Sequence, residues 1–390
     1  MNIIDLRDEF YKRRIEMIAI RRDAVFYAEE LSEIGGERVC IYRYDPISNE
    51  ERVLASFELE DDDFIEHYYL CGDSVVILFE NDGSMAWVVR IDSRSGEEQL
   101  RKKLALIGRY YDCVPVDKDN LIIYTRADDE HRSLFNRCFE TTNSEVMANL
   151  YDLATGYRYF MKDFHTASLI SKSAYSFTTA AGIDKLLLCD PYCGESEKEE
   201  LVHTLSGSLD PADDDLRDNI WTISKEKLVQ SVKSGMEKIT MRRAASAGVE
   251  GTVRFVSMSE DKIILRAKVY RSGLEQFFEM SPSNGLSSAV CDVRRQRKGE
   301  SYYVDAPSGN IYIMTRRGGR VRLEGEIGSK ADVYFPEKVG RVAAFIDDRY
   351  IIADRSLGEI PQTAVYDSRK NITDVFEART RVAGDTVILF

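Results

Sequence analysis

One short pattern recurs along this chain and limits how it can fold. In Tyr42–Glu50, YRYDPISNE, apolar and aromatic residues lead into Asp45; Pro46, Ser48 and Asn49 follow, and a second apolar run, Val53–Phe57, comes next. An aspartate can bond its own backbone two residues on, proline presets φ, and asparagine tolerates positive φ. Together they spell strand, tight reversal, strand. The unit returns around Ile91–Gly96, around Tyr151–Gly156, and at Tyr366–Asn371. Weaker copies stand at Ser281–Gly285 and around Asp190.

The aspartates of the first three copies, Asp45, Asp92 and Asp152, are 47 and 60 residues apart. Several strands per unit at a period of roughly 40–50 residues is the sequence signature of propeller blades. The expected fold is therefore all-β: a seven-bladed β-propeller whose ring is closed by the N- and C-terminal strands. The chain's 390 residues then form a single domain, 1–390, at about fifty residues per blade.

The hairpin, an apolar residue then Tyr or Ile, Asp, two variable residues, Ser or Thr, and Gly or Asn, resembles the outer hairpin of blades in the broad β-propeller superfamily. It is nearer the TolB-like and YncE-like repeats than the WD-repeat type. No WD dipeptide ends a blade, and Trp87 and Trp221 are the only tryptophans. The resemblance implies a fold and no activity, because propellers host many unrelated functions.

Taken in order, residues 1–15 read as a short amphipathic helix or a leading strand. Blade one ends near Leu59 and blade two starts near His67. Blade three spans 109–163, with Ala127–Ser144 as a long inter-strand loop carrying His131, Arg132, Arg137 and Cys138. Blade four covers 170–205. The pattern then breaks at 206–248, a partly helical or irregular insertion. There Leu228, Val232, Met236 and Ile239 follow helical spacing behind a Ser224 N-cap. The rival reading makes IWTIS and KLVQSV strands of a degenerate blade. Blades five, six and seven cover 250–287, 298–335 and 338–375. The apolar C-terminal strand RVAGDTVILF needs a partner, and the N-terminal strands supply it, removing open sheet edges.

Hydrophobic residues at 44% and aromatics at 10% can build a sizeable core and exclude disorder. A formal charge of −14 disfavours nucleic acid and anionic membranes as partners. Residues 240–325 depart from this, with 15 Lys/Arg against 9 Asp/Glu. The clusters Arg242–Arg243, Arg294–Lys298 and Arg316–Arg322 read as solvated hairpin tips or as a patch for an acidic partner or a phosphate-bearing ligand. Seven cysteines, an odd number, argue against a disulfide framework. No apolar h-region opens the chain and no apolar run is long enough to span a bilayer, so the expected location is the cytoplasm.

Chemical motifs are sparse. Cys189 and Cys193 form CDPYC with His203 nearby, but zinc sites usually need a second pair. Asp210, Asp213, Asp214, Asp215 and Asp218 crowd one loop without the calcium-loop spacing. His67, His131, His165 and His203 are the only histidines, and no hydrolase, Walker or dinucleotide motif occurs. No catalytic, metal or cofactor residue is assigned, and no cofactor is expected. Tyrosines and phenylalanines in runs such as His67–Leu70 and Tyr302–Val304 read as packing between blades. The balance leans toward a non-catalytic scaffold for a protein or peptide partner. The alternative is an enzyme, or a small-molecule or metal-binding protein, with its site at the mouth of the central channel.

Overall fold

In the computed structural model, the described residues are all except 8–13, 22, 34–35, 60–62, 82–84, 137–145, 180, 190–219, 244–250, 259–262, 270–274, 281–286, 290–298, 306–307 and 356–359. The described residues form seven four-stranded antiparallel sheets and one three-stranded sheet. In each four-stranded sheet the strands follow one another in chain order, the up-and-down arrangement of propeller blades. The chain's contacts divide it into two compact units.

The three-stranded sheet joins the termini: β1 (Asn2–Asp5) runs parallel to the last strand, Thr386–Leu389, which also pairs with Thr380–Ala383. The leading-strand reading of the N-terminus holds. The terminal strands do find each other, but they build a separate sheet and do not join the blade of Ile15–Leu59.

One unit comprises residues 10–171 and 223–240. Its first sheet is β2 (Ile15–Ile20), β3 (Val25–Glu33), β4 (Gly36–Asp45) and β5 (Glu50–Leu59). Its second is β6 (Asp63–Cys71), β7 (Ser74–Asn81), β8 (Met85–Asp92) and β9 (Glu98–Ala105). Its third is β10 (Arg109–Pro115), β11 (Asn120–Arg126), β12 (Val146–Asp152) and β13 (Arg158–Phe160). Strand β7 shows why the sheets stack. Its residues Val75–Phe79 are all buried. Alternate side chains of a strand point to opposite faces. So Val75, Ile77 and Phe79 pack with Phe26 and Ile41 of the first sheet, and Val76 and Leu78 with Leu121 and Ile123 of the third.

The other unit comprises 1–9, 172–222 and 241–390. Its sheets are β14 (Ala174–Thr178), β15 (Asp184–Cys189), β16 (Ile220–Ser224) and β17 (Arg242–Arg243), then β18 (Gly251–Met258) to β21 (Ser287–Ala289). β22 (Glu300–Val304), β23 (Ile311–Arg317), β24 (Arg320–Ile327) and β25 (Asp332–Phe335) follow. β26 (Val342–Ile346), β27 (Tyr350–Asp354), β28 (Thr363–Asp367) and β29 (Ile372–Phe376) complete the set. Tyr312, Leu323 and Phe335 pack against Phe345 and Tyr366 between two of these sheets.

The recurring hairpin has a common mechanism. The carboxylates of Asp45, Asp92, Asp152 and Asp367 each accept backbone N–H groups two or three residues on, at 2.7–3.2 Å. The backbone N–H of the residue four places on returns to each aspartate's carbonyl. That residue, Asn49, Gly96, Gly156 or Asn371, has φ between 55 and 80°. This left-handed conformation is why the motif ends in Gly or Asn. All four turns join the third and fourth strands of a sheet. Asp305 builds the same turn between first and second strands, with Gly309 at φ 66°.

At the break in the pattern, both readings are half right. Ile220–Ser224 is a strand and Lys225–Lys233 is a helix, with the Ser224 hydroxyl accepting from Lys227 N. The helix buries Leu228, Val229 and Val232 and stops there, so Met236 is exposed while Ile239 is buried. Asp163 holds this stretch down. Its carboxylate accepts from Ile239 N at 2.7 Å and from Thr166 N and Oγ1 at the start of the helix Phe164–Ser173. No described helix is long and apolar enough to cross a membrane.

Candidate functional site

The first strands of the three sheets in the unit of residues 10–171 and 223–240 lie side by side, β2 beside β6 and β6 beside β10. Each carries a β-bulge, between Met17 and Ala19, Ile65 and His67, and Tyr110 and Asp112. A bulge adds one unpaired residue, bends the strand and re-aims the side chains that follow. His67 and Asp112 occupy the same place, one residue after the bulge, on neighbouring strands. Their side chains meet, with Nε2 of His67 3.4 Å from Oδ1 of Asp112.

Aromatic rings border this pair. Tyr69 stacks on the His67 ring at 5.5 Å, and the Tyr110 ring lies 6.4 Å away. Tyr69 is fixed by donating to the Cys113 carbonyl at 3.0 Å, and Asp112 by accepting from Cys113 N at 2.8 Å. The Tyr110 hydroxyl is buried and has no partner among the described residues. Burial pushes both phenols far above the ordinary tyrosine range, so they stay neutral. Cys113 is buried and its thiol is pushed up to about 12, so it is an inert packing group.

Glu16, on β2, extends the site. Desolvation raises its carboxyl pKa, the nearby Glu30 carboxylate raises it further, and His67 opposes both. Burial, with Glu16 and Glu30 nearby, raises Tyr68 as well. The arrangement therefore holds an imidazole with a carboxylate to orient it, a second carboxyl whose pKa is raised, and neutral aromatic walls. Chemically this suits proton transfer to or from a bound polar group. No group of three or more His, Cys, Asp or Glu side chains is placed to hold a metal among the described residues.

Of the candidate polar residues singled out in the sequence, only His67 belongs to this site, beside Tyr69 of the His67–Leu70 run that read as packing. His131 pairs locally with Asp128 at 2.8 Å, and His165 stands exposed on its helix. Cys189 ends β15, and nothing is described of its side chain. Cys193, His203, Asp210, Asp213, Asp214, Asp215, Asp218, Arg137, Cys138 and the cluster Arg294–Lys298 lie outside the described residues. Glu16 and Asp112 were not singled out. Their signal was a charged side chain inside a short apolar first strand, IEMIAI and YYDCV.

No protein-family model matches the chain, and no curated protein matches it. Solved structures do resemble it. Oligopeptidase B from Leishmania major is 11% identical with a TM-score of 0.46, over 93% of this chain and 48% of that one. The β-propeller domain of a trilobed protease from Pyrococcus furiosus is 10% identical, TM-score 0.42, over 93% and 92%. An oligogalacturonate lyase solved with manganese is 11% identical, TM-score 0.43, over 88% and 85%. The chain spans about half the length of the prolyl peptidases it resembles. These are β-propeller proteins, mostly peptidases with a lyase among them. The expectation of a non-catalytic interaction scaffold is corrected by this finding: most of the structures that resemble the chain are peptidases, and one is a lyase. What those enzymes act on is a property of those proteins.

Proposed function

We propose that the chain is one propeller domain, its sheets closed into a ring by the pairing of β1 with the last strand, and that it works as an enzyme or a small-molecule-binding protein at the mouth of the central channel. The first strands β2, β6 and β10 line that channel, and Glu16, His67 and Asp112 are its working side chains. Asp112 orients the His67 imidazole, His67 exchanges a proton with the ligand, and Glu16 supplies a second carboxyl, its pKa raised by desolvation and by Glu30. Tyr69 and Tyr110 offer ring faces for an apolar part of the ligand.

The observation that carries this reading is the meeting of His67 and Asp112, 45 residues apart in sequence, at equivalent positions after two bulges. Bulges next to functional sites re-aim side chains, and a carboxyl with a raised pKa is a frequent mark of such sites. Thermal unfolding of the full chain against divalent metals with and without chelator, nucleotides, sugars and short peptides tests it. A ligand at 100 times its Kd stabilises by about 2.7 kcal/mol, a readable rise in midpoint. One responding class supports the reading; a panel with no response contradicts it.

A further inference from the structure

The basic hairpin Arg316–Arg322 contributes to a cavity distant in sequence from the His67 site. Arg320 opens β24, Pro336, Glu337 and Lys338 follow β25, and Arg355 follows β27; together they line a space of about 400 Å³. That size falls within the range of small-molecule sites.

The cavity is held by backbone contacts. Gly318 and Gly319 turn the hairpin at φ 59 and 81°. The Gly319 carbonyl accepts from Val339 N at 2.9 Å, and Arg316 Nη1 donates to the Val339 carbonyl at 3.3 Å. Without a side chain at Gly319, the Lys338 stem passes close over the turn, where an added Cβ would stand 3.2 Å from Lys338 Cγ. Arg355 is set by its own N–H donating to the Gln362 carbonyl at 2.8 Å.

The charges in it are not balanced. Three cations, Arg320, Lys338 and Arg355, face one carboxylate, Glu337. Arg355 Nη1 is 3.2 Å from Glu337 Oε2, and both Arg355 Nε and Glu337 Oε2 are buried without a hydrogen-bond partner among the described residues. Arg320 makes one long contact, 3.4 Å to the Tyr334 hydroxyl, and neither Arg320 nor Lys338 has an ion pair among the described residues. Arg322, two residues beyond Arg320, differs: its Nε and Nη2 are both taken by Asp332, at 2.7 and 2.6 Å. The Arg320 guanidinium and the Lys338 ammonium are exposed, so their unused donors can meet an acceptor arriving from solvent.

We infer that this cavity binds the phosphate group of a small molecule. A dianion matches the excess of two positive charges. Two guanidinium forks and one ammonium supply the multiple donors a tetrahedral oxyanion accepts.

Calorimetric titration of the full chain at low salt tests this, with inorganic phosphate and glucose 6-phosphate as probes and glucose as the uncharged control. Saturable binding of a phosphate probe is expected, with no heat from glucose. Arg355→Gln and the exposed Lys338→Gln should each weaken binding about tenfold or more, as loss of a charge-assisted bond does. Arg322→Gln should leave it unchanged. Tighter binding of the sugar phosphate identifies a phosphorylated metabolite; equal binding of both identifies free phosphate. Absence of binding by either probe, or undiminished binding in the Lys338→Gln and Arg355→Gln proteins, overturns the inference.

Discussion

His67 and Asp112 stand at matching positions on adjacent first strands, with Nε2 and Oδ1 3.4 Å apart. Each side chain is about a third exposed. A pair so open to solvent contributes at most about 1 kcal/mol to folding. His67→Gln and Asp112→Asn should therefore shift urea unfolding by about that or less. A loss of several kcal/mol would mark the pair as structural and weaken the case for function.

Glu16 should reveal itself through pH. Its folded carboxyl is raised by desolvation and by Glu30, so ionising it in the folded protein is unfavourable. The destabilisation is full above the folded pKa and absent below the unfolded value near 4.3. Glu16→Gln should thus raise the melting temperature at pH 7 to 8, and the gain should fade as pH drops toward 4. A Gln variant that is less stable at neutral pH would contradict the assignment.

Asp367 should behave in the opposite sense. The Arg349 guanidinium, bonded to both its oxygens at 2.9 and 2.6 Å, holds the carboxyl well below its ordinary range, helped by the N–H groups of Lys370 and Arg369. Its contribution to stability is complete above the unfolded value near 3.9 and is lost as pH falls toward the folded one. The stability gap between the natural protein and Asp367→Asn should be widest near neutrality and narrow below about pH 4. A gap independent of pH would show that the ion pair does not set it.

Two glycines separate backbone strain from crowding. Gly72 has φ 59° and open space around a would-be Cβ; Gly96 has φ 80°, and a Cβ there would lie 2.1 Å from the Leu54 carbonyl oxygen. Gly72→Ala should cost about 1 kcal/mol for the left-handed conformation alone. Gly96→Ala should cost clearly more, since the turn must also move off the neighbouring sheet. Equal losses in chemical denaturation would refute the close approach.

The turns were readable because their cause is local: Asp45 and Asn49, or Asp92 and Gly96, make their bonds within five residues. The stretch from Ile220 to Lys233 was harder, since IWTIS suits a strand and the Leu228–Val232 spacing suits a helix, and the chain uses each in turn. The termini suggested mutual pairing, but nothing local told that Asn2–Asp5 would form its own sheet with the last strands. The site was almost invisible. His67 and Asp112 meet, and Glu16 comes near His67, only through bulges and through the adjacency of three first strands, neither of which has a sequence code.

The most direct test of the central claim is the affinity of whichever ligand raises the unfolding midpoint, measured side by side for the natural protein and for His67→Gln. The proposed site predicts binding weakened about tenfold or more in the variant, the loss of one bond to a charged or polar partner. It also predicts an unliganded midpoint close to the natural one. Unchanged affinity in the His67→Gln protein would place the ligand elsewhere and contradict the account.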